Sequence, residues 1–148
     1  MRFLIQVVDR ASVDVKEKAY RAEIKQWLLI YIWIHKDDIV DYHSKITYFV
    51  NKIRNLQVFH VEGKLQGTLD SVNGAILLIS NFTLYGENKK GNRFDFSDSA
   101  GFADAQKVYD DLVVDMKNEN INLETGIFGA YMEVDSVNGG PINLLWDI

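Results

Sequence analysis

The sequence predicts a single mixed α/β domain with two helices. Short apolar segments bounded by turn residues indicate strands, and two longer segments repeat apolar residues every three or four positions, which indicates helices. The chain has 148 residues, of which 47% are hydrophobic and 25% are charged, as is typical of a folded protein with a sizeable core. The sequence contains no internal repeat, linker or low-complexity segment. We therefore expect one domain across residues 1–148.

Most of the strands are predicted from apolar runs. Residues 2–8 indicate a first strand, and residues 12–15, which alternate polar and apolar side chains, are expected to pair with it as a hairpin. The segment from Trp27 to Ile34 is apolar on both faces, which favours a central strand. Further strands are expected at residues 56–59, 75–82, 130–134 and 142–146, the last two on either side of a turn at Gly140-Pro141.

Both helices are predicted from their apolar stripes. Asp37 and Asp38 provide an N-cap and favourable negative charge for a helix that runs to Asn55. A second stripe predicts a helix from Ala103 to Asn118. The segment 87–102 before it is polar and contains glycine, so we expect a loop there.

Composition limits the compartment and the kinds of site. The sequence has no cysteine, which excludes disulfides, thiolate metal sites and a thiol nucleophile. The longest apolar run, Trp27 to Ile34, is too short to span a bilayer, and nothing resembles a signal peptide, so a cytoplasmic protein that does not enter membranes is expected. A net charge of −5 argues against indiscriminate coating of nucleic acid, although a local basic patch could still contact phosphates.

Side chains that commonly perform acid–base or metal chemistry are poorly placed. The three histidines, His35, His43 and His60, share no metal-ligand spacing. No serine lies in a Gly-x-Ser-x-Gly nucleophile elbow, and no glycine-rich loop leads into a helix to hold phosphate. The pattern therefore predicts neither a metal nor a cofactor, and it gives no candidate for a side-chain acid–base mechanism.

Two short stretches carry the remaining chemical information. Ser80 to Leu84 places small polar side chains at the end of a buried apolar strand. Asn138 to Asn143 contains the only proline of the chain, Pro141, preceded by two glycines that allow close approach of another backbone. From the residues alone, Ser80 and Thr83 could equally satisfy backbone groups at a strand end, and Gly140-Pro141 could be a trans turn.

Both stretches resemble the D-aminoacyl-tRNA deacylase family. Its members carry Ser-Gln-Phe-Thr-Leu where this chain has Ser80 to Leu84, and Asn-x-Gly-Pro-x-Thr where it has Asn138 to Asn143. The resemblance runs from end to end in the family's order, and its other matches are Met1 to Gln6 with Ala11 to Val13, Lys52 to Leu56, Lys90 to Arg93, and Gly126 to Ala130 with Met132.

The resemblance implies a three-layer β/β/α fold and a homodimer with the site at its interface. It also implies hydrolysis of the ester between a D-amino acid and the terminal adenosine of tRNA, in which the ribose 2′-hydroxyl participates and backbone donors hold the carbonyl oxygen. A cis Gly-Pro pair from the partner subunit would exclude L side chains.

Residue by residue, the resemblance implies three groups of site residues. The catalytic pocket would contain Thr83, Ser80 and Phe82. Substrate binding and the chirality filter would involve Gly140, Pro141, Asn138, Gly139, Asn81, Phe128 and Met132. The basic cluster of Lys89, Lys90 and Arg93 would contact the tRNA end, although most charge runs are only solvated loops.

Several positions depart from the family's pattern. Asn81 replaces glutamine, Asn143 replaces threonine, and Val7 and Gln57 replace arginines. Added volume is expected where Lys25, Trp27 and Trp33 replace glycines and where Phe94-Asp95 replaces Pro-Ser. Three interpretations follow: a D-aminoacyl-tRNA deacylase, a related deacylase of glycyl- or small L-aminoacyl-tRNA, or a non-catalytic dimeric module that binds the tRNA end.

Overall fold

A curved mixed sheet with two α-helices forms the part of the chain described by the computed structural model, residues 1–88 and 91–148. The helices are α1 (Tyr42–Asn55) and α2 (Phe102–Asn118). The strands are β1 (Arg2–Val15), β2 (Tyr20–Ile24), β3 (Trp27–Trp33), β4 (Phe59–Val61), β5 (Lys64–Gly67), β6 (Ala75–Ser80), β7 (Asn122–Thr125) and β8 (Glu133–Asp147). The predicted single mixed domain with two main helices is confirmed.

The first strand is longer than the sequence indicated. β1 runs without interruption through Val15, so the expected hairpin between residues 2–8 and 12–15 is wrong. Its first half pairs antiparallel with β3 and its second half with β2. Along its other edge β1 pairs with β8, with register shifts around Val8 that curve the sheet. The sequence missed this arrangement because the partners that extend β1 are distant in the chain.

The last strand also differs from the prediction. Two strands around a turn were expected at its ends, whereas β8 is a single element that pairs with β1 on both sides of the Gly140-Pro141 peptide. Asn138 pairs with Val8 and Asn143 with Gln6, so the residues between them form an outward bulge. The bulge carries the proline because a residue without an N–H group is tolerated where the ladder is interrupted.

The middle of the sheet is parallel. β3 pairs with β6, and β6 pairs with β7, a strand that the sequence analysis did not anticipate. β4 and β5 form a separate hairpin, so the strand expected at residues 56–59 begins later, at Phe59. β3 and β6 end side by side at Trp33 and Ser80, and polar groups that follow them therefore meet at one edge of the sheet.

The first helix begins later than predicted. Asp37 and Asp38 belong to a 3-10 helix, Lys36–Val40, that is capped by the side chain of His35. α1 then runs to Asn55 as expected, with Ile46, Phe49 and Ile53 fully buried. α2 begins one residue before the predicted start at Ala103.

Two hydrophobic cores separate three layers. One core lies between the sheet and the helices and includes Ile30 of β3 and Leu78 of β6. The other lies on the opposite face of the same strands and includes Leu29 and Leu77, together with residues of β1 and β2. Both faces of β3 are therefore covered, which confirms that it is a central strand, and the layers agree with the expected β/β/α arrangement.

Candidate active site

The segment after β6 is shaped by an asparagine cap. Asn81 directly precedes a 3-10 helix, Phe82–Tyr85, and its side-chain oxygen accepts hydrogen bonds from the Thr83 backbone N–H at 3.2 Å and from the Thr83 hydroxyl at 2.5 Å. The Asn81 backbone N–H donates to Ile32 in β3 at 2.9 Å. Asparagine favours such local bonds because its short side chain reaches the backbone two residues on. The cap fixes the orientation of Thr83.

This segment forms one wall of a pocket of about 640 Å³. Ser80, Asn81, Phe82 and Thr83 all line it, so the structure brings these four predicted site residues together. Another part of the lining comes from the 129–132 segment, which includes Met132. Ser80 is buried, whereas Thr83 is exposed to the pocket opening.

Aromatic rings form part of the pocket wall. Trp33 is 5% exposed, and its ring stacks on Phe128 with centroids 5.3 Å apart and meets Phe82 edge-on at 6.1 Å. Its indole N–H donates to the Ser99 hydroxyl. Phe128 therefore supports the pocket from behind Trp33. The added volume at position 33 becomes part of the wall and leaves the pocket open, and Phe94 does not line it.

The loop that carries Met132 is attached to β6. Gly126 donates its backbone N–H to Leu78 at 3.0 Å, and the Tyr109 hydroxyl donates to the same carbonyl at 3.0 Å. A Cβ at Gly126 would lie 2.5 Å from the Met132 sulfur. The close packing at Gly126 therefore sets the position of Met132 in the pocket.

An arginine supports the 3-10 helix from the other side. Arg2 donates to the Leu84 carbonyl at 3.0 Å and to both carboxylate oxygens of Asp147, and its guanidinium lies 4.8 Å from the Tyr85 ring centroid. The hydrogen bond with Asp147 raises the pKa of Arg2 above its ordinary value. Burial raises the pKa of Tyr85 well above its ordinary value. Both groups therefore keep one protonation state across the physiological range and act as fixed supports.

The pocket offers few titratable groups. Among its lining residues in the described part of the chain, none carries a carboxylate, an imidazole or an ammonium group. Tyr31 lines it, and burial raises the pKa of this phenol above its ordinary value, so it is neutral at neutral pH. Across residues 1–88 and 91–148, no three His, Asp or Glu side chains come together in a way that could hold a metal ion. Hydroxyl, amide and backbone groups are therefore the polar groups that face a ligand.

The Gly-Pro segment belongs to β8 and lies outside this pocket. The Gly140-Pro141 peptide is cis, and both residues are exposed in the β8 bulge. Asn138 anchors the bulge by donating to the carbonyls of Val7 at 2.8 Å and Ile142 at 3.2 Å. Neither Asn138, Gly139, Gly140 nor Pro141 lines the pocket of their own chain.

Asn143 completes the anchor of the bulge. Its amide donates to the Asn138 side-chain oxygen at 2.9 Å, and its own oxygen accepts from Gln6 at 2.8 Å. Of the predicted basic cluster, Arg93 is exposed, while Lys89 and Lys90 lie outside the described residues.

Comparison with known sequences decides the family. A family model described as D-Tyr-tRNA(Tyr) deacylase matches residues 4–147. The chain belongs to this family. The relationship that the two short stretches indicated is therefore confirmed, and with it the expected class of enzyme, a hydrolase that acts on ester bonds.

Relatives with a known name align with nearly the whole chain. The D-aminoacyl-tRNA deacylase of Thermosipho africanus is 43% identical over 148 residues, covering 99% of this chain and 97% of the relative. The protein of the same name from Clostridium novyi is 42% identical with the same coverage. The match therefore extends over nearly all of both sequences and is not confined to an isolated motif.

Solved structures share the fold. A structure described as c-Myc DNA Unwinding Element Binding Protein has a TM-score of 0.88 and 28% identity, and it covers 100% of this chain and 99% of its own. A probable eukaryotic D-amino acid tRNA deacylase has a TM-score of 0.84 at 16% identity, with 99% and 98% covered, which shows the common fold. No helix in the described ranges is long and apolar enough to cross a membrane.

Proposed function

We propose that the chain hydrolyses the ester bond of D-aminoacyl-tRNA and releases the D-amino acid and free tRNA. The observation that carries this proposal is the pocket beside Thr83, which is lined by hydroxyl, amide and apolar groups in a chain that matches the deacylase family from residue 4 to residue 147. Such a lining suits a reaction in which positioning and backbone donors do most of the work.

In the proposed reaction, the oxygen of a water molecule bonds to the ester carbonyl carbon. The bond from that carbon to the ribose oxygen breaks, and the ribose oxygen takes up the proton that the water loses. The neighbouring ribose 2′-hydroxyl participates, so the substrate supplies a polar group that the pocket side chains do not. Thr83 and Ser80 then orient the ester, and Phe82 borders the pocket that receives it.

Chirality would be read by a second copy of the chain. Gly140 and Pro141 are exposed and lie outside the pocket of their own chain, yet their bulge is held by Asn138 and Asn143. An exposed but anchored backbone segment is suited to entering a neighbouring pocket. We therefore propose a homodimer in which the Gly140-Pro141 bulge of one copy faces the Thr83 pocket of the other and excludes L side chains.

The proposed substrate also suggests where the protein works and which side chains contact RNA. Aminoacylated tRNA is used in the cytoplasm, which supports a cytoplasmic enzyme. Arg93 is exposed close to Phe94 in sequence, and together with Lys89 and Lys90 it would contact phosphates of the tRNA 3′ end.

The proposal is tested by deacylation of D-Tyr-tRNA, L-Tyr-tRNA and Gly-tRNA with the wild-type protein and Thr83→Ala. We expect rapid loss of the D ester while the L ester is spared. Removing the Thr83 hydroxyl should lower kcat/KM about tenfold or more. A tenfold loss corresponds to about 1.4 kcal/mol of lost transition-state stabilisation. Thr47→Ala is the matched control, since Thr47 is an exposed threonine on α1.

The three substrates separate the proposed activity from its alternatives. Loss of the glycyl or L ester with the D ester intact would identify a related editing deacylase instead. If all three esters decay at the rate of the buffer alone, the chain does not catalyse this reaction. Sedimentation of the same preparations measures whether the protein is a dimer.

A further inference from the structure

Exposed aromatic side chains are concentrated around the mouth of the pocket. In the described part of the chain, Phe82, Phe102 and Tyr131 line the pocket with 48%, 60% and 79% of their surface exposed. Phe94 follows in the adjacent loop with 62% exposed, and the remaining exposed aromatic residue among those described, Tyr48, lies on α1. Clustered apolar exposure of this kind marks a binding surface more often than isolated exposed residues do.

Two of these rings, Phe82 and Phe94, form a continuous series with the half-buried ring of Phe96, which we call the Phe82–Phe96–Phe94 platform. The centroids of Phe82 and Phe96 are 5.0 Å apart, and those of Phe96 and Phe94 are 6.4 Å apart, both in tilted arrangements. Phe82 also lines the pocket, so the platform begins inside the site and extends outward to Phe94.

The platform is held in place by its backbone. Glu87 and Asp95 exchange two backbone hydrogen bonds, of 2.9 and 2.7 Å, which hold the residue between Phe94 and Phe96 against Glu87. The Asp95 carboxylate accepts from the backbone N–H and hydroxyl of Ser97. A Cβ at Gly86 would lie 2.9 Å from Phe96 and 3.4 Å from Phe94, so the backbone at Gly86 passes close to both rings. Rings fixed in advance lose less conformational entropy when a ligand stacks on them.

We propose that this platform stacks the unpaired base that precedes the terminal adenosine of the tRNA 3′ end. The inference rests on the proposed function, because it assumes that the aminoacylated nucleoside occupies the Thr83 pocket. The RNA strand must then leave through the mouth, where Phe82 leads to Phe96 and Phe94. Unpaired bases of RNA are commonly bound by stacking on aromatic side chains.

Charge next to the platform suits the same partner. Arg93 precedes Phe94 and is exposed, so it can reach a phosphate of the strand whose base lies on the ring. Continuity with the pocket through Phe82 favours a nucleic-acid strand as the occupant, because a strand whose last nucleoside lies in the pocket must continue outward past Phe82. The proposed contact with a second copy needs only the Gly140-Pro141 bulge at the pocket and does not require Phe94.

Two substrates of different length test the proposal. D-Tyr-tRNA presents the whole 3′ end, whereas D-tyrosyl-adenosine presents only the terminal nucleoside. We expect Phe94→Ala to raise KM for D-Tyr-tRNA about 5- to 150-fold, the range expected for loss of one stacked base. For Phe94→Ala, the kcat with D-Tyr-tRNA and the kcat/KM with D-tyrosyl-adenosine should equal those of the wild type. Phe94→Trp should retain the wild-type KM, and Tyr48→Ala is the control for loss of an exposed aromatic ring.

Three results would overturn the proposal. An equal effect of Phe94→Ala on both substrates would make Phe94 a support of the pocket, and no effect on either would show that no base stacks there. A change in sedimentation of the variant would assign the platform to contact between copies.

Binding of uncharged tRNA separates this proposal from the catalytic one. If the wild type hydrolyses neither ester, the proposed function fails, but fluorescence anisotropy still tests the platform. Intact tRNA should then bind the wild type more tightly than Phe94→Ala, and tRNA without its three terminal nucleotides should bind both equally. Equal binding of intact tRNA to the two proteins would refute the stacking platform.

Discussion

Replacing Asn81 by alanine should separate the stability of the protein from its activity. The Asn81 side chain makes two hydrogen bonds to Thr83, one to its backbone N–H at 3.2 Å and one to its hydroxyl. Loss of a capping asparagine typically costs about 1 kcal/mol of the free energy of unfolding. Because Thr83 is exposed, water can replace part of what is lost, so the cost should not exceed this value.

The corresponding change in melting temperature is small. With 148 residues, the unfolding entropy is about 0.3 kcal/mol/K, so a loss of 1 kcal/mol lowers Tm by about 3 °C. The effect on deacylation should be much larger, since the Thr83 hydroxyl and the turn of the 3-10 helix lose their common acceptor. We expect kcat/KM for D-Tyr-tRNA to fall about tenfold or more at a temperature where the variant is fully folded.

Two further variants at this position make the test decisive. Asn81→Asp keeps an acceptor oxygen at the same distance and should retain the wild-type Tm. Asn81→Gln moves the amide by one methylene and should lose the cap, because the short local bond to the residue two positions on requires the shorter side chain. Tm is measured by circular dichroism and kcat/KM by ester hydrolysis. Wild-type kcat/KM in Asn81→Ala would refute the reasoning that the cap orients Thr83 for catalysis.

Three other substitutions probe the packing and charge of the fold. Phe49→Ala removes a fully buried ring stacked 3.8 Å from Phe3, and urea unfolding should show a loss of about 3–5 kcal/mol, whereas a loss below about 1 kcal/mol would contradict this packing. Gly126→Ala places a Cβ 2.5 Å from the Met132 sulfur, so the flexible Met132 side chain must move; kcat/KM should fall while the free energy of unfolding changes by less than about 1.5 kcal/mol, and unchanged kinetics would show that this contact does not shape the pocket. Asp38→Asn removes a buried carboxylate whose pKa is held below its ordinary value, because the donors that include Lys45 outweigh the opposing effect of burial. Its stabilisation is present above the unfolded-state pKa and is lost as pH falls through the folded-state pKa, so the variant should be about 3 kcal/mol less stable at pH 7 and differ less from the wild type at pH 3; a constant difference in unfolding free energy would refute the pairing.

The sequence by itself determined the family, the number of helices and the central strand. Both helices carry apolar stripes at local spacing, and a stripe needs no knowledge of the rest of the chain. The strand from Trp27 to Trp33 is apolar on both faces. Both faces must therefore be covered, whatever the order of strands in the sheet. The stretches around Thr83 and Pro141 identified the family because their residues occur in a fixed order.

Only the tertiary structure decided how these pieces meet. β1 continues to Val15 because β2 and β8 pair with its second half, and those partners lie outside any local window of sequence. Trp33 read as added volume in the sequence, but its stacking on Phe128 turns that volume into a pocket wall. The bulge at Pro141 and the pocket at Thr83 lie apart within one chain, since strand register places them on different parts of the sheet. Helical stripes follow from neighbours in sequence, whereas pairing and pocket shape depend on contacts between distant segments, which only the folded chain brings together.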